Sequence, residues 1–363
     1  MTATTVGIVN SLTAGRLPKW GPWTILGASW AILLVAFIFV DAADEESGYN
    51  IAAALFLGTI LFDVLLFVIT LLVEGSRQAR DRLITSLVAT AFIIALLPLV
   101  SLLFTVLSNG LARFDVMFFT YSMRNVVGEG GGGLHAIVGT LLITLAATLI
   151  SVPIGLLTSI YLVEYGRGPL ARAITFFVDV MTGIPSIVAG LFAFALFSLL
   201  FSDPGIRFGL GGSIALSLLM IPVVVRSSEE MLKIVPNELR EAAYALGVPK
   251  WLTIVKVVLR TAAAGLVTGA TLAIARVIGE TAPLLLTAGY TNSMNADAFD
   301  GRMMTLPVYV YRQYSQGLVP KGIVDINYQR AWAAALTLII IVMLLNLVAR
   351  LISRFFAPKT GRR

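Results

Sequence analysis

No cysteine occurs among the 363 residues, which excludes disulfides and thiolate metal centres, and a lone histidine, His135, argues against a transition-metal site. His135 reads instead as an interfacial residue at the start of a span. Charge is scarce too. Only 13% of residues are charged against 58% hydrophobic, and a mean hydropathy of +0.91 is far too high for a soluble domain. No Walker motif is present. The one glycine-rich run, Gly128 to Gly133, lacks the Lys-Ser/Thr ending of a phosphate-binding loop and reads as a flexible outer linker. Energy for any pumping must therefore come from a partner.

What the chain does have is long apolar runs. A helix crossing a ~30 Å hydrocarbon core takes about 20 residues. Runs near that length cover 22–40, 51–73, 84–107, 135–163, 171–201, 209–225, 264–289 and 330–352. The expected fold is an all-α polytopic membrane protein of eight spans. Most of the 26 basic residues fall on one side: Arg16 and Lys19, then Arg77, Arg80 and Arg82, then Arg167 and Arg172, then the loop 226–260, then the C-terminal tail to Arg363. The first loop of the other side, with Asp41, Asp44, Glu45 and Glu46, is purely acidic. Both termini and the 226–260 loop are thus expected in the cytoplasm, and the net charge of +6 needs no nucleic acid to explain it. Arg16 and Lys19 ahead of the first span resemble a signal-peptide start. That apolar run is longer than a signal core, however, and Trp20, Trp23 and Trp30 suit a retained interfacial helix. Residues 1–80 are expected to form an N-terminal two-helix hairpin and residues 84–357 a six-span core.

The polar loop 226–260 stands out in so apolar a chain. Asn237 can cap a helix, Glu238 complements its dipole, and Leu239, Ala242, Ala243 and Leu246 recur at i, i+3, i+4 and i+7 as a narrow, small-residue face. Gly247 then stops the helix. Beyond Pro249, the same spacing in Trp251, Ile254, Val255 and Val258 predicts a second amphipathic helix returning to the membrane lipid. The first helix, flanked by Arg240 and Glu241, suits a groove in a protein partner.

Glu241-Ala242-Ala243, Gly247, Val257 and Leu259 resemble the EAA loop of ABC importer permeases, with Arg260 where that family usually has proline. Three further strings narrow the resemblance to the PstA-type permease of the phosphate-specific ABC importer. They are Ala275 to Leu285 (ARVIGETAPLL), Asp179 with Gly183 to Val188 (GIPSIV), and Thr305 to Tyr309 (TLPVY). The resemblance covers roughly residues 84–357 and leaves the first hairpin outside it. It implies a type I ABC importer permease core in a prokaryotic plasma membrane, and a non-catalytic subunit that pairs with a PstC-type permease. A cytoplasmic ABC ATPase dimer holding ATP and Mg would seat Leu239 to Gly247 in a cleft, and an extracytoplasmic phosphate-binding protein would deliver inorganic phosphate. No cofactor is expected on this chain. Other readings are a permease for sulfate or molybdate, or a secondary anion transporter driven by an ion gradient.

Arg276 is the expected centre of the substrate path. It lies ten residues beyond Leu266, about 15 Å into the core. A charge there costs at least ~2.5 to 3.5 kcal/mol and must face protein, water or a ligand. Glu280, one turn on, can pair with it, neutralising an empty site or serving as a structural ion pair. Pro283 displaces the carbonyl of Gly279, so a kink is expected next to Thr281. Gly183 and Pro185 should break the fifth span likewise, exposing Thr182 and Ser186 as phosphate contacts or as small packing residues. Asp179 reads as a gate or packing carboxylate, and Asp63 should face protein. Pro307 to Gln316, with Tyr309, Tyr311 and Tyr314, predicts a short outer interfacial helix.

Overall fold

The computed structural model describes residues 17–41, 50–315 and 326–356. Arg16, the acidic loop residues Asp44, Glu45 and Glu46, Gln316, Lys321, and the tail residues Lys359, Arg362 and Arg363 lie outside the described residues. Every regular element among those described is helical. Seven helices are long and apolar enough to cross a membrane, and an eighth span is counted if one sharply bent pair crosses as a unit. Contacts divide the chain into two compact units, Met1–Leu103 and Phe104–Arg363.

The first unit contains α1 (Gly21–Asp41), α2 (Ile51–Val73) and most of α3 (Ser76–Gly110). Helix α1 packs on α2 because Gly58 lets the backbones close in: a Cβ there would stand 2.8 Å from the Trp30 ring. Glu74, at the end of α2, accepts from the Leu17 amide at 2.6 Å and from Arg82 at 2.7 Å. Asp63 does face protein. It is buried on α2 and accepts a hydrogen bond from the Ser86 hydroxyl on α3, the kind of pairing that a carboxyl at membrane depth requires.

The second unit begins with the end of α3 and a short α4 (Val116–Thr120), then α5 (Leu134–Ile160), α6 (Pro169–Thr182), α7 (Ser186–Phe201) and α8 (Gly209–Ile234). There follow α9 (Asn237–Ala245), α10 (Lys250–Thr253), α11 (Leu259–Val277), α12 (Ala282–Thr287), α13 (Leu306–Ser315) and α14 (Ile326–Phe356). Its centre is α8, which packs most extensively on α5 and also on α11. Small residues set these contacts. A Cβ on Gly155 of α5 would lie 2.6 Å from Val224, and one on Gly269 of α11 would lie 2.7 Å from the Ser227 hydroxyl, so any larger residue would force the helices apart. Ile143, Leu216, Met220 and Val277 fill the enclosed core.

Two features differ from expectation. The run Gly128 to Gly133 is no flexible linker. Arg330 of α14 donates to the carbonyls of Gly128 and Gly130, and Arg113 donates to that of Gly131 at 2.9 Å. A Cβ on Gly132 would sit 2.6 Å from the carbonyl oxygens of Met117 and Phe118. Gly131, Gly132 and Gly133 are packed too tightly for side chains, while Gly128 and Gly130 serve their positive φ, and the carbonyls of Gly128, Gly130 and Gly131 are turned to two guanidinium groups. His135 is likewise not interfacial but 1% exposed, edge-on to Tyr309 of α13 at 5.5 Å between ring centroids. The expected helix after Pro307 forms as α13. Its first turn is buried, with the Leu306 amide donating to Thr140 at 2.7 Å, while Tyr311 and Tyr314 are exposed.

Candidate functional site

Two helices in the second unit are interrupted where glycine and proline coincide. The expected fifth span, 171–201, is two helices, α6 and α7, meeting at 108° across Gly183–Pro185. Pro185 has no amide hydrogen to continue the ladder, and α7 restarts after it. The second interruption separates α11 from α12. Helix α11 ends at Val277, residues 278–281 are irregular, and Pro283 occupies the first turn of α12, where a missing amide hydrogen costs nothing.

These interruptions are neighbours. A Cβ on Gly190 would fall 2.6 Å from the Pro283 backbone. Gly190 lies one turn into α7 and Pro283 in the first turn of α12, so the start of one helix lies beside the start of the other. Gly190 was not singled out in the sequence. It looks like any small residue in an apolar helix until its neighbour is known.

Arg276 is exposed on the last turn of α11 and has no hydrogen bond or ion pair to any described residue. The expected Arg276–Glu280 pair is absent. An i,i+4 pair needs a continuous helix, and the break at 278–281 lies between the two side chains. Glu280 and Thr281 are half-buried in the break, and Gly279 is exposed. On the other broken helix Thr182 is exposed, its hydroxyl donating to the Val178 carbonyl at 2.8 Å, and Ser186 is half-buried. Asp179 pairs with Arg226 of α8, which also holds Glu229 at 2.8 Å, and Glu229 in turn accepts from Lys233 at 2.6 Å. This network ties α6 to α8 and was not legible from local spacing.

In the 226–260 loop, α9 spans Asn237–Ala245 as anticipated, and Gly247, at φ +74°, closes it with the Val248 amide bonded to the Ala243 carbonyl at 3.1 Å. Asn237 is not the cap. It is the first helical residue, preceded by Pro236, and its side chain accepts from Arg240 at 3.2 Å. The predicted small-residue face is also divided. Ala243 is buried against its own chain, whereas Leu239, Glu241, Ala242, Leu246 and Gly247 are exposed. Arg240 is turned inward as well, bound to Glu164. The second amphipathic helix forms as α10 followed by a π turn, Ile254–Val258, that runs straight into α11. Ile254 and Val258 are buried in it, and Trp251 and Val255 are exposed. Among the described residues no group of three or more metal-ligating side chains occurs.

Residues 151–362 match the binding-protein-dependent transport system inner membrane component. The chain belongs to that family. The matched region of this inner-membrane transport component takes in both interruptions, the 226–260 loop and α14. Among its relatives, the phosphate transport system permease protein PstA 1 of Mycobacterium tuberculosis strain H37Rv is 46% identical over 79% of this chain and 91% of its own length. The phosphate transport system permease protein PstA of Pasteurella multocida is 39% identical over 78% of this chain and 97% of its own. An inward-facing structure of the MetNI methionine ABC transporter aligns at 20% identity and a TM-score of 0.47, over 62% of this chain and 94% of that one. As a family member with at least seven membrane-crossing helices, this is a multi-pass inner-membrane permease component.

Proposed function

We propose that this chain is a permease subunit of an ATP-driven importer of inorganic phosphate. The observation that carries the reading is Arg276: a guanidinium on the last turn of the apolar helical stretch Lys250–Val277, exposed on its own chain and without an ion-pair partner among the described residues. Such a charge needs a counterpart, and an oxyanion in transit, or the wall of a pore shared with a second permease, supplies one. Its planar fork suits phosphate oxygens. The free amides at the start of α7, beside Ser186, add positive potential where α7 meets α12. That several relatives are named phosphate permeases favours phosphate over sulfate or molybdate.

In this reading a PstC-type permease completes the pore, and an ATPase dimer holding ATP and Mg binds the exposed face of α9. An extracytoplasmic binding protein delivers phosphate to the opposite side. Nucleotide-driven closure of the ATPase displaces α9, and the interrupted helices α7 and α12, packed through Gly190 and Pro283, expose Arg276 first to the delivered ion and then to the cytoplasm. Irregular backbone at this depth is tolerated where it lines such a route. The basic bias supports a cytoplasmic position for both termini and α9, and a tag inserted near residue 78 should then be unreachable from outside. Uptake of labelled phosphate by the purified complex, challenged with excess sulfate or molybdate, tests the substrate. Competition by either as strong as that of unlabelled phosphate contradicts it.

A further inference from the structure

The docking loop is fastened to the end of α5 by an enclosed polar cluster, beside an apolar one in which Ile160 and Val163 pack against Leu232, Val235 and Val258. Helix α5 ends in a π turn, Tyr161–Tyr165, and the Glu164 side chain in that turn is 6% exposed. Arg240 of α9, 76 residues away in sequence, donates Nε and Nη2 to the same Glu164 oxygen at 3.0 and 2.9 Å. The rest of the guanidinium is also engaged. Nη1 donates to the Val235 carbonyl at 2.6 Å and to Asn237 at 3.2 Å, and Nη2 donates to the Leu232 carbonyl at 3.0 Å. From the other side Lys250 of α10 donates to the Glu164 carbonyl and stands 4.6 Å from the Tyr165 ring centroid. Both helices of the loop therefore hold the same turn of α5.

A helix that merely lies on headgroups has no use for an enclosed ion pair. Burying two charges is costly and adds little net stability even when every hydrogen bond is made, but it fixes one geometry strongly. Helix α5 in turn has the most extensive packing on α8, and α8 packs on α11, which carries Arg276.

We infer that Glu164 is a positioning residue for coupling: by clamping Arg240 its carboxylate makes α9 and the end of α5 move as one body, so that a push on α9 reaches the helices around Arg276. The inference rests on the importer reading. Its failure is separable from a failure of that reading, because the first measurement below needs no substrate.

This chain contributes no cysteine, so in a complex whose partner subunits are also cysteine-free a label pair at Glu238→Cys on α9 and Leu157→Cys on α5, both exposed positions, reports those two sites alone. In the complete complex the label-to-label distance should be the same without nucleotide and with ATP trapped. With Glu164→Gln added, the distribution should broaden and shift with ATP. In vesicles, Glu164→Gln should lower phosphate uptake per ATP hydrolysed about tenfold, a size typical of coupling positions, with complex yield and ATP hydrolysis retained. Glu164→Asp, which keeps the charge, should fall between. A distance that changes with ATP while Glu164 is intact overturns the inference, and so does full uptake per ATP in Glu164→Gln. If the unsubstituted complex takes up no phosphate, the substrate reading fails while the distances still judge the clamp.

Discussion

Replacing Arg276 by glutamine removes the charge and the guanidinium fork and leaves a shorter, neutral polar side chain. The Arg276 side chain makes no hydrogen bond or ion pair to any described residue, so the folded chain loses neither, and complex yield should be unchanged. The loss falls on the transported anion. A hydrogen bond to a charged group contributes about 1.5–3 kcal/mol. At about 1.4 kcal/mol per tenfold, losing one such bond weakens occupancy of the route roughly 10- to 150-fold. Arg276→Lys keeps the charge without the planar fork and should also transport poorly. Glu280→Gln breaks no ion pair, because α11 has ended before it, and should leave assembly intact. The double substitution Arg276→Gln with Glu280→Gln should transport no better than Arg276→Gln alone. Uptake and size-exclusion yield for these four variants decide the matter. Wild-type uptake by Arg276→Gln, or restored uptake in the double variant, would refute the assignment.

Ala242→Trp places a bulky ring on the exposed face of α9 and should uncouple ATP hydrolysis from uptake with normal assembly, whereas Ala243→Trp, at a buried position, should lower complex yield instead. Comparing hydrolysis, uptake and yield checks both, and identical behaviour of the two would contradict the divided face. Gly190→Ala sets a methyl 2.6 Å from the Pro283 backbone and should cost about 1–3 kcal/mol by overpacking, seen as reduced uptake and a lower Tm. Unchanged values for both would show that α7 and α12 are not held together there. Gly132→Ala meets three backbone carbonyls and should depress Tm by a similar amount, while Gly128→Ala, with open space around it but φ +78°, should pay only backbone strain. Equal melting of wild type and Gly132→Ala would restore the linker description.

Local chemistry made much of this legible. Pro185 and Pro283 announced the two interruptions because a residue without an amide hydrogen cannot continue a helix, and Gly247 announced the end of α9. Hydrophobic length located the spans, although the seventh, expected over 264–289, is the helical stretch Lys250–Val277. What stayed hidden depended on neighbours distant in sequence. Periodicity assigned Ala242 and Ala243 to one face of α9 but could not say that only Ala243 meets the chain itself. The Arg240–Glu164 and Arg226–Asp179 pairs join residues 76 and 47 positions apart, beyond any spacing rule. The Arg276–Glu280 pair was expected on the assumption of an unbroken helix, even though Pro283 already argued for a break nearby. Glycine runs are the converse case: composition alone does not separate a mobile linker from a backbone pressed against three carbonyls.

The central claim is that ATP, through a partner, drives phosphate across the route that this chain helps to form. The direct test is labelled-phosphate flux into proteoliposomes containing the complete complex and the phosphate-loaded binding protein, with ATP supplied at the ATPase face and all ion gradients collapsed. The account predicts uptake that stops when ATP or the binding protein is omitted and does not respond to an imposed proton or sodium gradient. Gradient-driven uptake without ATP, the behaviour of a secondary transporter, would contradict it.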